Sequence, residues 1–379
     1  MAQLKITKEL RILQIVPQLK VGGVERGVID LFRYLNKNKI KNYIFCENYS
    51  KDLFSKSEIK YIISTDYLKF KDLRKYFVLN KYLKKIIERK KINLIHISSR
   101  APALIFYRQI KDTPGIKYIT SFHNPYSGGF IKKYYNSFLL KGDSVICNSN
   151  YTNKFVTEKF NIKKNKLVII PRGTDLKYFD PKIFNKQFIF NKKKILNISH
   201  KEIIISIPSR YSSWKGHDQL FNFLNNQPTK LINNFRIIIF INKKLSQQKK
   251  ILSQCNKLIK EKIILLDLTK DIREIYAISD IVISSSIKPE GFGRSISESL
   301  SMNCIPIGTN HGGVKEQLEN FDKKLLYNLN DQKGFNTSLR YALKILKTKN
   351  FSGREYVKNN YSLDKMINTT LKIYNQNEK

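Results

Sequence analysis

Acid is the scarcest chemical resource of this 379-residue sequence: 30 Asp and Glu stand against 70 Lys and Arg, a formal net charge of +40. Cysteine is scarce too. Cys46, Cys147, Cys255 and Cys304 lie far apart and form no Cys-x-x-Cys pair or Cys/His cluster, which argues against a disulfide framework and a structural zinc and for a reducing compartment. No apolar run approaches the roughly 20 residues that cross a bilayer. Lys5, Lys8, Glu9 and Arg11 interrupt the apolar core that a signal peptide would need near its start. No internal repeat of fixed period is found. The expectation is a cytoplasmic protein, soluble or peripheral on the inner face of the cell membrane.

The excess of positive charge attracts phosphates whatever carries them, so its distribution matters. Residues 1–180 hold 36 Lys/Arg against 14 Asp/Glu, and residues 181–379 hold 34 against 16. This even spread, with Lys, Asn and Ile abundant throughout, has two readings: drift of the whole composition, or a basic face that meets an anionic membrane surface. A nucleic-acid partner is not expected, because no aromatic-basic RNP, zinc-finger or helix-turn-helix signature accompanies the charge.

Apolar residues make up 41% of the chain, enough for two cores, and the length favours two domains. Continuously apolar, β-rich runs alternate with helical patterns, as in a parallel sheet covered on both faces. In the first half these strands read 11–16, 42–46, 94–97, 118–122, 144–147 and 167–170; in the second, 203–207, 235–241, 262–266, 281–284 and 305–308. The fold class is α/β, two Rossmann-like domains in series. The Lys/Asn-rich stretch 180–200 suits a linker, which places the domains at 1–190 and 191–379, the second ending in terminal helices.

Ligands of open α/β sheets bind beyond the carboxyl ends of the strands, and the chemistry-bearing residues follow the predicted strands. Gly22 and Gly23 open a helix after the first strand, where bare N–H groups suit an anion; a plain tight turn has the same appearance. His123 ends the strand 118–122. Arg210 and Lys215 follow the first strand of the second half, a planar fork and a point charge suited to diphosphate oxygens. The longest pattern is Pro-Glu-Gly-Phe-Gly-Arg-Ser-Ile-Ser-Glu at 289–298. Its glycines Gly291 and Gly293 turn the chain into a helix, with Glu290 before that helix and Glu298 inside it. Glu290 can hold sugar hydroxyls, the amides of Ser295 and Ile296 a phosphate, and Glu298 a ribose.

Glu290-x7-Glu298 with its internal Gly-Phe-Gly, the Ser-Arg…Trp-Lys-Gly segment at 209–216, the Gly-Gly-Val-Glu-Arg at 22–26 and the Pro-Arg-Gly-x-Asp turn at 171–175 together resemble the GT-B-fold, retaining glycosyltransferases of family 4. The resemblance covers nearly the whole chain and looks closest to bacterial members that build lipopolysaccharide core or related envelope glycans. It implies a nucleotide-sugar donor and a glycan or glycolipid acceptor. Arg210 and Lys215 would bind the donor diphosphate, Glu298 the ribose, Glu290 with the Phe292–Gly293 backbone the transferred sugar, and Gly22–Gly23 the phosphate. His123 would contact the sugar near the reacting carbon, while Arg100, Tyr126, Ser149 and Arg172 would face the acceptor. It further implies retention of configuration without a covalent nucleophile, and neither a metal nor another cofactor. A nucleotide-sugar epimerase or a sugar phosphorylase shares the architecture but lacks this Glu-x7-Glu arrangement.

Overall fold

The structure is a computed structural model that describes residues 9–20, 22–65, 69–125, 128–241, 245–267, 271–348 and 351–376. It divides into two compact units, one of residues 1–173 with 363–379, the other of residues 174–362.

In the first unit, strands β1 (Arg11–Ile15), β3 (Lys41–Cys46), β5 (Ile62–Ser64), β6 (Leu94–Ile97), β7 (Lys117–Phe122), β8 (Ser144–Cys147) and β9 (Leu167–Ile169) form a seven-stranded sheet in the order β5-β3-β1-β6-β7-β8-β9. Every neighbouring pair is parallel. The short β2 (Gln18–Leu19) and β4 (Asn48–Tyr49) pair separately. Helices cover both faces, so the strand side chains are buried whichever way they alternate, and Leu94, Ile95, His96 and Ile97 are all buried in β6.

In the second unit, β10 (Ile203–Arg210), β11 (Phe235–Ile241), β12 (Ile263–Asp267), β13 (Ile281–Ser284), β14 (Ile305–Thr309) and β15 (Leu326–Tyr327) form a six-stranded sheet, ordered β12-β11-β10-β13-β14-β15. All its pairs are parallel. Strand order reverses at the β10–β13 pair, which makes the ends of these two strands the switch point of a doubly wound sheet. The pairing of β10 with β11 shifts register between Ile207 and Arg210. Such an irregularity re-aims the residues beyond it, and Arg210 emerges exposed at the strand end.

The eleven strands read from the sequence all form. The division of the chain differs from the one at residue 190. Residues 181–195 are no linker: Asn185 caps the helix Lys186–Ile195 by accepting from Phe188 N (2.8 Å), and Ile189 packs with Ile198, Ile275 and Ile278 of the second unit. Its many lysines reflect the outer face of that helix, while Lys192 pairs with Glu274 at 2.7 Å. The terminal helix Leu363–Asn375 belongs to the first unit, where Met366, Ile367, Leu371 and Tyr374 pack with Ile12, Leu31, Leu35 and Ile119. The chain thus leaves the first unit after Gly173 and returns at Leu363. At the second unit's ends, Thr174 N donates to Tyr361 O at 2.7 Å.

Candidate functional site

The switch point of the second unit brings two of the sequence-nominated residues into contact. Lys215, in the turn after β10, lies 2.9 Å from Glu290 Oε1, which follows β13. Ser286, also beyond β13, donates to the same carboxylate oxygen at 2.5 Å. The Lys215 ammonium sits 4.3 Å from the centre of the Trp214 ring. The Glu290 carboxylate, itself held by the Ser286 hydroxyl, and the Trp214 face therefore fix a lysine whose stem is otherwise flexible.

The loop that carries Lys215 is tied to β13. The Ser285 hydroxyl donates to Lys215 O at 2.8 Å, and Ile287 N donates to Trp214 O at 2.9 Å. Gly216 adopts φ 70° and presses its α-carbon against the Ser285 carbonyl. Any Cβ would both strain that backbone and collide with the oxygen. Glu290 is held from its backbone as well, its carbonyl accepting from Gly313 N at 2.8 Å. His311 donates from Nε2 to Ser286 O at 2.8 Å. Burial holds its pKa below the ordinary value, against the pull of that carbonyl and of Glu290.

Glu298 is placed differently from Glu290. It lies in the helix Arg294–Ser301, where Arg294 Nε donates to its Oε1 at 3.0 Å and Tyr276 donates to its Oε2 at 3.2 Å. Gly293 caps that helix at φ 83°. The Ile296 amide already donates to Gly293 O (3.1 Å), so the Arg294 and Ser295 amides, at the first two helical positions, are those without an intrahelical carbonyl. Gln317 donates to the Phe292 carbonyl (2.5 Å) and to that of Gly293 (3.1 Å), and the Phe292 ring is buried against Tyr361. The turn Gly291-Phe292-Gly293 is thereby rigid. Arg210 forms no ion pair with Glu290 or Glu298 among the described residues.

In the first unit a buried polar group surrounds a cavity of about 30 Å³ at the carboxyl ends of the central strands, lined by Gln14, His96, Ser121, His123, Asn148 and Arg172 among others. Arg172 Nη2 lies 3.0 Å from His123 Nδ1 and 3.2 Å from Nε2. A guanidinium nearly equidistant from both ring nitrogens sets a fixed positive charge against the imidazole, which disfavours the charged form of the ring. Burial, then Arg172 and His96, push the His123 pKa well below its ordinary value. His96 bridges Ser121 Oγ (2.7 Å) and Tyr374 Oη (2.6 Å), and burial followed by Arg172 pushes it down to about 3. Arg172 reaches this place because residue 27 is glycine: a Cβ there would overlap the guanidinium.

The remaining nominated residues occupy other places. Gly22 caps the helix Gly23–Lys37, with the Glu25 carboxylate folded against it, so a negative group already attends that helix start. Ser149 is a buried cap that accepts from Thr152 N at 3.0 Å. Arg100 donates to Asn136 Oδ1 at 3.1 Å and lies 5.3 Å from the Tyr135 ring centre. Tyr126 lies outside the described residues. Ser286, Trp214 and the Arg172–His123 contact were missed from sequence; the run Ser284-Ser285-Ser286 at a strand end was the available signal for the first. Among the described residues no group of three or more His, Cys, Asp or Glu is placed to hold a metal ion, and the four cysteines are buried and unpaired.

Two sequence families cover this geometry. The model of Glycosyltransferase Family 4 matches residues 21–178 and that of Glycosyl transferases group 1 matches residues 188–356. A glycosyltransferase from Rickettsia africae ESF-5, known by its crystal structure, is 31% identical over 97% of this chain and 98% of its own, with a TM-score of 0.85. This chain belongs to glycosyltransferase family 4.

The transferase shares its GT-B fold with more distant proteins. Anabaena HepE, solved in complex with UDP and glucose, is 17% identical with a TM-score of 0.79, over 96% of this chain and 99% of HepE. WaaG, described as a glycosyltransferase involved in lipopolysaccharide biosynthesis, is 12% identical with a TM-score of 0.72, over 96% and 99%. No curated protein matches the transferase by sequence. Among its described residues no helix is long and apolar enough to cross a membrane.

Proposed function

We propose that this transferase moves a hexose, with retention of anomeric configuration, from a nucleoside-diphosphate sugar to a glycan or glycolipid of the cell envelope. The observation that carries the reading is the Lys215–Glu290–Ser286 cluster at the switch point of the second unit. A lysine and a carboxylate in contact there suit the two ends of a donor: Lys215, joined by Arg210, neutralises the diphosphate as it leaves, and Glu290 accepts from sugar hydroxyls. The open amides of Arg294 and Ser295 add donors to the phosphate, and Glu298 takes the ribose. Substrate-side precedent comes from HepE, solved with UDP and glucose, and from WaaG, tied to lipopolysaccharide.

Retention follows if the acceptor hydroxyl attacks from the face the nucleotide leaves. The C1–phosphate oxygen bond breaks through an oxocarbenium-like state, the new C1–oxygen bond forms, and the acceptor proton passes to the departing phosphate. Positioning and preorganised charge supply the acceleration, and His123, whose pKa burial and then Arg172 push well below its ordinary value, contacts the sugar as a hydrogen-bonding group. The cations take the role of charge neutraliser, so transfer is expected to persist in a chelator.

The test is a thermal-shift screen of the purified chain against UDP, GDP and ADP and their sugars, since a ligand at 100 times its dissociation constant stabilises by about 2.7 kcal/mol. At least one should shift the wild type, and Lys215→Ala should lose that shift at unchanged fold. A wild type indifferent to every nucleotide diphosphate sinks the donor assignment; an inverted product anomer, read by NMR coupling, sinks retention alone.

A further inference from the structure

Seven of the twelve large apolar side chains exposed among the described residues cluster on two helices of the first unit and the turn leading into one of them. Phe77 (83% exposed), Val78 and Tyr82 belong to the helix Tyr76–Lys90, with Leu73 just before it, and Phe130 (85%), Ile131 (83%) and Tyr134 belong to the helix Phe130–Ser137. Monomer surfaces seldom group such residues without a use for them.

The two helices share one face of the sheet. The helix Arg100–Lys111 runs between them and touches both: Asn80 donates to Ile105 O at 3.1 Å, and Arg100 donates to Asn136 Oδ1 at 3.1 Å. In a parallel α/β unit a helix that follows a strand starts at that strand's carboxyl end, so Leu73, Phe77, Val78, Phe130 and Ile131, at or just before the helix starts, lie toward the same end as His123 and Arg172. Chemistry at this rim is one-sided. Residues 69–91 contain ten Lys or Arg against Asp72 and Glu88, and residues 113–142 contain no acid at all. Lys75, Lys81, Lys132 and Lys133 are exposed beside the apolar side chains.

Exposed aromatic and aliphatic side chains inside a lysine ring match an anionic lipid surface, where rings enter the headgroup boundary and ammonium groups meet phosphates. We infer that the Leu73–Tyr82 and Phe130–Tyr134 segments form a docking face through which the transferase sits on an anionic bilayer. The charge decides against a second copy of this chain as occupant, since a self-facing contact would oppose lysine to lysine. Docking is independent of sugar chemistry; that the bilayer also presents the acceptor to the adjacent strand ends rests on the transferase reading.

Co-sedimentation of the full chain with vesicles tests the face without any donor. Vesicles of phosphatidylcholine with one-third phosphatidylglycerol should bind the protein and pure phosphatidylcholine should not, and high salt should release it. Lys132→Glu with Lys133→Glu, and separately Phe77→Ser with Phe130→Ser and Ile131→Ser, should each lower partitioning roughly tenfold or more. Both variants should keep the wild-type melting temperature and nucleotide shift, as all five positions are exposed. Equal binding to neutral and anionic vesicles, or undiminished binding by both variants, overturns the inference. So does a wild-type dimer in light scattering that the apolar variant loses while vesicles remain unbound. A lost nucleotide shift with intact vesicle binding would instead strike the donor assignment.

Discussion

Gly216 and Gly27 each leave room for a close neighbour, the Ser285 carbonyl at the turn that carries Lys215 and the Arg172 guanidinium where it passes the helix Gly23–Lys37. Gly216→Ala must place a Cβ on Ser285 O at a left-handed backbone, a strain of about 1–2 kcal/mol before the collision is counted. Equilibrium denaturation should register that loss, and nucleotide binding should fall further than stability because Lys215 moves with the loop. Arg172→Met takes the cation away from His123. The pKa of His123 should then rise toward its ordinary value, though burial keeps it low, and a ring-proton NMR titration reads the change. An unmoved titration would show that the guanidinium does not hold the ring neutral. The placement of Lys215 and Glu290 beyond strand ends was legible because strand, turn glycine and charge follow in order along the chain. The Arg172–His123 contact was not, since it spans 49 positions and depends on a glycine that the sequence offers no reason to single out.

The strands were legible because burial on both faces leaves unbroken apolar runs, as in Phe235-Arg-Ile-Ile-Ile-Phe-Ile241, with Arg236 satisfied at the strand's start by Glu202 at 3.0 Å. Strand β5 has three half-buried residues at the sheet edge and carries no period to detect. The helix Lys186–Ile195 was hidden by its lysines, and only tertiary packing reveals which residues face inward. The helix Leu363–Asn375 looked like the end of the second domain because nothing local records that Met366 and Tyr374 meet β1, β6 and β7 partners. Tyr374→Phe should cost about 1–3 kcal/mol by stranding one nitrogen of buried His96, measured by urea denaturation. Arg354 binds the segment after Gly173 to the second unit, donating to Phe179 O (2.5 Å), Leu176 O (2.7 Å) and Ser301 O (2.8 Å). Arg354→Met should therefore lower the melting temperature of this unit; an unchanged melt would show those carbonyls are served equally well by water.

For the molecule as a whole, three buried histidines set a response to acid. Burial pushes His96 to about 3 and His217 to about 4, and His123 well below the usual value. Unfolded histidines protonate near pH 6.5 while these stay neutral in the fold, so below that pH the unfolded chain binds more protons and stability falls as pH falls. Each therefore lowers stability as pH falls below about 6.5, until its own folded form titrates. Denaturation midpoints at pH 7, 6 and 5, in steps chosen to bracket that window, should decline accordingly, and a flat profile would show the imidazoles are not sequestered.

Residues 174–362 form one unit that interrupts the sequence of the other, whose helix Leu363–Asn375 follows that interruption. A ribosome working from the amino end therefore releases the nested lobe before it has delivered the segment that covers Ile12, Leu31, Leu35 and Ile119. The lobe begun first is finished last, and during that interval its bare apolar floor is what a nascent-chain chaperone would meet.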